Sequence, residues 1–459
     1  MTQRTGEVQA TASAVAPANT AADLTAREFL ALLRRGDLTA LEYARACADR
    51  IERMDPLVKA WEQFDRVLLE ECAAKVDLKV KAGQANGLLL GIPVGVKDIF
   101  NTYDFTTGMG SEIIAGYTPG NDARVVSNIR LEGGIVAGKT VTAEFAVHHP
   151  SRTVNPHDPR RTPGTSSSGS AAAVAARMVP VALASQTGGS TIRPASYCGI
   201  FGFKPSFGLI PRTAMLKTTD TLDTVGFMAR SIEDLGLLFE ATRVRGHNYP
   251  VSDATLNDQG RQNVTGRPWR VGLLRGPKAQ FEAQVPRDAL AALADKLASA
   301  GLEMKVFTLP TEFEQAHDLH ERIYRRCLAY YFKLEWDSNP QKFSRIMRRM
   351  IESGLGIDVR TYQTDLEKQT ALARLFDREM SDVDVLLCLS TADEAPIGLD
   401  ALDLPDHCLI WTMCGAPAIS LPVLRGSTGL PIGAQIVARR YNDYLLLRFA
   451  RLLVEAAGH

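Results

Sequence analysis

Two short loops in the middle of this chain hold serines among glycines, Thr162 to Ser170 and Ser185 to Pro194. Glycine admits backbone conformations closed to other residues and lets a ligand approach the main chain. A segment such as Gln186-Thr187-Gly188-Gly189-Ser190 can therefore aim several backbone N–H groups at one point. A developing oxyanion needs that arrangement, and Ser190 would place a hydroxyl beside it. On spacing alone, an ordinary Gly-Gly-Ser turn is the stronger reading. Upstream, Lys97 lies in the apolar run Gly91-Ile92-Pro93-Val94-Gly95-Val96-Lys97-Asp98, with Ile99 following. Burial there would disfavour its ammonium and free a lone pair for proton transfer. The competing reading, of equal weight, is a lysine reaching out from a strand end.

Other chemistries fit poorly. Gly133 to Thr140 satisfies the phosphate-loop pattern G-x-x-x-x-G-K-T. A phosphate loop, however, follows an apolar strand and opens a helix. Here Ser127 to Glu132 before it reads as helix, and Ile135-Val136-Ala137 inside it reads as strand. The serine loops do not match the nucleophile elbow G-x-S-x-G. His148, His149 and His157 have no acid motif beside them and read as surface or loop packing. No HExxH pair occurs, and the seven cysteines show no metal-ligand spacing, so no metal or cofactor is expected.

The elements that must position the two loops alternate. Ala171 to Arg177 is Ala-rich and helix-favouring, and Val179 to Ala184 is apolar and strand-like, giving loop, helix, strand, loop. Leu88 to Val96 and Gly134 to Lys139 read as earlier strands, with helix-like Ala143 to Ala146 after the second. Before them, Thr39-Ala40-Leu41-Glu42 fits a capping box for a helix that Asp55-Pro56 ends, and a second helix covers about 64–81. After them, Arg270 to Leu274, Leu302 to Phe307, Asp384 to Leu389, Pro417 to Pro422 and Ile432 to Val437 read as strands. Helices are expected over Arg287 to Ala300 and Tyr444 to Ala456. Phe313 to Met380 is long, charged and helical in character. This alternation predicts an α/β fold, one large domain with a central mixed β-sheet flanked by helices on both faces.

With 459 residues, 45% of them hydrophobic, the chain can bury a large core. Lys+Arg and Asp+Glu both number 52, which points to neither a nucleic-acid nor a membrane-surface partner. No run approaches a membrane span, and residues 1–22 read as a disordered tail rather than a signal peptide. Scattered cysteines are expected as reduced thiols in the cytoplasm.

The stretch from His157 to Arg212, with the lysine motif upstream, resembles the amidase signature family of serine hydrolases. The likeness runs from about Leu24 to Leu453 and weakens between Arg245 and Pro405. It implies that residues 23–459 form an amidase domain, with 60–240 as catalytic core and 310–380 capping the substrate pocket. It implies Ser190 as nucleophile, Ser166 as bridging serine after a cis Thr165–Ser166 peptide, and Lys97 as base. The backbone N–H groups of Thr187, Gly188, Gly189 and Ser190 would form the oxyanion hole. Substrate contacts are expected from Arg193, Ser167 and Met109. Thr165 and Ser168 stand where the family usually has glycine, which leaves Ser167 as the alternative bridging serine. The implied activity is hydrolysis of a small-molecule amide through an acyl-enzyme, with no cofactor and with a homodimer left open.

Arg193 falls three residues after Ser190, as in the branch acting on small amides of carboxylic acids, malonamidases among them. A guanidinium pairs with a carboxylate through two parallel hydrogen bonds. A structural ion pair is the equal alternative for Arg193. Neutral aryl or alkyl amides, carbamates or ureas are the alternative substrates. Similarity to the amide-hydrolysing component of tRNA-dependent amidotransferases raises a further reading, a component that needs partner chains. A silent scaffold is the poorest reading, because Lys97, Ser166 and Ser190 are all present.

Overall fold

The computed structural model describes residues 20–458. In chain order its strands are β1 (Trp61–Phe64), β2 (Pro93–Lys97), β3 (Ile135–Thr140), β4 (Val181–Gln186), β5 (Phe201–Lys204) and β6 (Thr224–Ala229). They continue with β7 (Arg270–Arg275), β8 (Glu303–Thr308), β9 (Val385–Leu389), β10 (Ala418–Arg425) and β11 (Pro431–Val437). All belong to one eleven-stranded sheet in the order β1-β3-β2-β4-β6-β5-β10-β11-β9-β7-β8. β3, β2 and β4 run parallel, as do β9, β7 and β8 at the other end. Antiparallel pairs join the two groups through β6, β5, β10 and β11. The sheet is mixed and flanked by helices, as the alternation predicts. Every residue of β2, β4 and β9 is buried, which explains why these strands read as continuous apolar runs.

Several boundaries differ from expectation. Residues 1–19 of the expected tail lie outside the described residues. Ala21–Asp23 forms a 3-10 turn with Ala22 fully buried, so the fold begins before residue 23. The Thr39 capping box forms, but its helix runs Ala40–Val58 straight through Pro56. A proline near a helix end removes only the one bond to the carbonyl four residues back. The helix stops instead at Lys59, in the left-handed region at φ 57. The next helix is Arg66–Lys81, because Phe64 pairs in β1 and Asp65 caps the helix on the N–H of Leu68.

The phosphate-loop look-alike is a strand. Lys139 in β3 is sealed from solvent and lies 2.9 Å from Asp98 Oδ1. It also donates to Thr107 Oγ1 at 2.8 Å and Thr106 O at 3.1 Å, so its charge is fully committed within the fold. The 310–380 region is helical, with helices Ala316–Tyr331, Lys333–Ser338, Arg345–Leu355 and Val359–Glu379. The first packs on the third through Tyr324, Leu328, Met347 and Ile351, a cluster that also takes in Phe145, Phe332 and Phe343. Through Leu319 and Ile323 it joins a second cluster with Phe376 and Trp411. No helix among the described residues is long and apolar enough to cross a membrane.

Candidate active site

The end of β2 carries Lys97 between its parallel neighbours β3 and β4. The side chain is fully buried. Its Nζ lies 2.7 Å from Ser166 Oγ, 3.0 Å from Ser167 Oγ and 2.8 Å from Ser185 Oγ. Burial holds the amine well below the ordinary lysine range, opposed only by the Asp223 carboxylate.

Ser166 follows a cis Thr165–Ser166 peptide and precedes the helix Ser168–Ala175. That helix is built of small residues because it lies directly against backbone. A Cβ on Gly169 would stand 2.3 Å from Ala60 O and 2.4 Å from Val141 N. Ser167 is sealed beneath the surface, where its Oγ donates to Ser185 O at 3.2 Å. It therefore supports the lysine from below, and the expected substrate contact is corrected.

The second loop leaves β4 at Gln186. The Gln186 Oε1 accepts from the N–H of Thr191 at 3.0 Å and of Ile192 at 3.1 Å. The loop carbonyls are tied back: Thr187 O lies 2.7 Å from His320 Nε2, Gly188 O accepts from Thr412 Oγ1 at 2.9 Å, and Gly189 O accepts from Arg193 N at 2.9 Å. Among the described residues, the N–H groups of Thr187, Gly188, Gly189 and Ser190 have no acceptor. Thr187 Oγ1 donates to Asp223 at 2.8 Å, and Asp223 also takes the N–H groups of Thr218 and Thr219. Neither Gly188 nor Gly189 has positive φ. Gly189 is needed for close approach instead, since a Cβ there would meet Arg193 Nη2 at 2.6 Å. Ser190 is half-buried, and its Oγ makes no hydrogen bond among the described residues, to Ser166 or to any other.

Arg193 is not a loop residue. It lies in the helix Ile192–Tyr197 and is 9% exposed. Its Nε pairs with Asp406 Oδ2 at 2.6 Å and its Nη1 with Asp403 Oδ2 at 2.9 Å, while Nη2 reaches Asp406 Oδ1 at 3.3 Å. Asp403 also accepts from Thr165 Oγ1 at 2.7 Å. The fork is filled by two carboxylates of the chain itself, so of the two readings, substrate-carboxylate clamp and structural ion pair, the structure shows the second. That pair ties residues 403–406 to the loop carrying Ser166. Removing the guanidinium would leave two buried carboxylates facing each other, a change costing about 3–5 kcal/mol. Arg193→Ala is accordingly expected to lower the urea midpoint. It should reduce kcat/KM by the same factor for matched amides with and without a carboxylate, with Arg193→Lys recovering part of the stability.

A cavity of ≈ 530 Å³ opens over Gly188, Gly189 and Thr165, with His148, His317, His320 and Tyr324 among its walls. Met109 is half-buried at φ 52 and packs against the Phe145 cluster. Sequence reasoning missed the roles of Ser185, Gln186, Asp223, His320 and Thr412. Only Ser185 and Gln186, at the head of the second loop, stood inside a stretch already singled out.

The chain matches the Amidase family over residues 42–447. A Chloroflexus aurantiacus relative, the A-type component of its glutamyl-tRNA(Gln) amidotransferase, is 31% identical over 464 residues, spanning 93% of this chain and 95% of that one. The chain is 30% identical over 453 residues to a Mycobacterium bovis protein named AmiD, covering 94% of each. A solved structure of a vestigial protein complex, described as revealing the evolutionary origins of an s-triazine catabolic enzyme, is similar with a TM-score of 0.84. It is 25% identical and covers 95% of this chain and 99% of that chain. The chain belongs to the amidase signature family and is a hydrolase of C–N bonds.

Proposed function

We propose that this chain hydrolyses small neutral amides through an acyl-enzyme on Ser190, with Ser166 as proton relay and Lys97 as base. The observation that carries the reading is a buried, neutral-leaning Lys97 amine 2.7 Å from Ser166 Oγ, at the foot of a loop with four uncommitted N–H groups. A neutral amine has two donors and one lone pair. Ser167 donates its own proton to Ser185 O, so towards Lys97 it acts as acceptor. With Ser185 as the second acceptor, the lone pair is left for the Ser166 hydroxyl.

In the reaction Ser166 passes its proton to Lys97 and takes the proton of Ser190, whose Oγ bonds to the amide carbon. The carbonyl oxygen becomes an oxyanion on the Thr187 to Ser190 amides, where preorganised donors stabilise charge without reorganising. The tetrahedral species collapses as the C–N bond breaks. The departing amine takes a proton from Ser166, which is resupplied from Lys97. Water then gives its proton along the same relay and attacks the acyl carbon, releasing the acid and Ser190. The helices of 310–380 roof this cavity through His317, His320 and Tyr324. The occupied Arg193 fork removes that guanidinium as a clamp for a substrate carboxylate.

The likeness to the amidotransferase relative supports a second reading, in which the ammonia released here is used by a partner chain. One experiment separates them. The purified chain alone is offered a panel of neutral amides, carboxylate-bearing amides, carbamates and ureas, with ammonia release and intact mass followed together. Turnover of a neutral amide with an acyl adduct on the Ser190 peptide is expected. Turnover that begins only when partner chains are added would replace this reading with the second.

A further inference from the structure

Three histidines line the cavity, and two of them are held through one ring nitrogen each. His320 Nε2 lies 2.7 Å from Thr187 O, and His317 Nε2 lies 2.9 Å from Asp406 O. His148 differs: among the described residues neither ring nitrogen has a hydrogen-bond partner, and neither is sealed from the cavity. Its backbone is held in an unusual way. Phe145 and Ala146, just before it, sit at φ 47 and φ 58, where side chains other than glycine are strained. Phe145 N donates to Met109 O at 2.8 Å, and Met109 is itself at φ 52. Phe145 and Val147 are buried and anchor the segment, the former against Phe332 with ring centroids 4.5 Å apart. His148 is thereby presented to the cavity from a fixed backbone.

Its ring meets Tyr324 edge-on at 6.1 Å, and Tyr324 meets His320 at 5.8 Å, so a row of rings joins His148 to the oxyanion loop. Burial, with the Arg193 charge adding to it, holds His148 at about 4, so the ring is neutral at neutral pH. A neutral imidazole offers one donor and one acceptor. Around it the wall mixes apolar side chains, Tyr324, Ile346, Met350, Leu402 and Leu409, with charged ones, among them Glu321, Arg325 and Arg349.

The structure assigns His148 as a substrate-binding residue that hydrogen-bonds an uncharged polar group, such as a second carboxamide, on the amide substrate. The assignment rests on amide hydrolysis at this site and narrows its substrate class. A carboxamide can use both the donor and the acceptor of the neutral ring, whereas a carboxylate can only accept from it.

The test is equilibrium binding to the Ser190→Ala protein by calorimetry, with benzamide, isophthalamide and 3-carboxybenzamide as probes. Isophthalamide is expected to bind roughly tenfold more tightly than benzamide, the size of one net hydrogen bond. In Ser190→Ala/His148→Leu that gap should close, and in Ser190→Ala/His148→Gln, which keeps a donor and an acceptor, most of it should return. An unchanged gap in the leucine variant, no gap in the parent, or 3-carboxybenzamide binding as tightly as the diamide would each overturn the assignment. Because binding is read without turnover, an inactive wild type would count against the hydrolytic reading and leave the His148 result standing.

Discussion

Ser190→Ala is expected to lower kcat by on the order of a millionfold, the scale of loss when a serine nucleophile is removed. The loop around it should survive the change. Ser190 Oγ makes no hydrogen bond within the described protein, and the loop is held by Gln186, His320 and Thr412 instead. A substitution that breaks no contact of this kind shifts stability by no more than about 0.5 kcal/mol. Unchanged thermal unfolding beside abolished turnover would therefore separate chemistry from folding. Mass spectrometry supplies the second readout, with a slow substrate or phosphonate leaving its adduct on the Ser190 peptide. Cys198 is a poor competitor, because burial pushes its thiol far up and the thiolate is the reactive form. An adduct on Ser166 or Cys198 with Ser190 unmodified would reassign the nucleophile.

Lys97 should give the next largest effect. Its burial lowers the amine pKa well below the ordinary lysine range, so kcat/KM is expected to rise with pH through that lowered value and then level off. Lys97→Ala should lose on the order of 10⁴-fold in kcat and lose the acid limb with it. The same shift acts on stability with a definite sign. Between the lowered folded pKa and the ordinary lysine value, the unfolded chain binds a proton that the native protein does not. Stability therefore rises with pH across that window and is constant below it with respect to this group. Lys97→Met should abolish that rise, which urea midpoints from neutral to alkaline pH would report. A wild-type activity that falls as pH rises through neutrality would sink the assignment of Lys97 as base.

What could be read from sequence was what is local. The serines and glycines of the two loops, and the apolar run around Lys97, announce their chemistry within a few residues. The strands were legible because both faces of β2, β4 and β9 are buried, which leaves uninterrupted apolar runs. β1 was not, since Trp61-Glu62-Gln63-Phe64 is too short to show a period. Sequence left Arg193 open between clamp and ion pair because its partners, Asp403 and Asp406, lie more than two hundred residues away and nothing in the spacing connects them. His148 looked like a loop residue because its signal is a backbone conformation at Phe145 and Ala146, which residue identity does not reveal. Gln186 and His320 act on the oxyanion loop from a strand end and a helix face, and neither residue type announces that task.

The pairing of β5 with β10 governs how this protein is made. β5 is hydrogen-bonded to β6 on one side and to Ala418–Arg425 on the other. A ribosome therefore releases Lys97, Ser166 and Ser190 long before the strand that completes the middle of the sheet. Until then Phe201–Lys204 presents an unpaired edge, which is a template for strands of other chains. The closing helix Asp443–Ala457 is tied to the same place, since Asp443 accepts from Ser206 N at 2.8 Å and Ser206 Oγ at 2.6 Å just beyond β5. Contacts so distant along the chain form slowly, and the growing protein holds an open edge throughout. A chain halted before Ala418 would carry the whole candidate triad, and its fate would be aggregation through β5 rather than reduced activity.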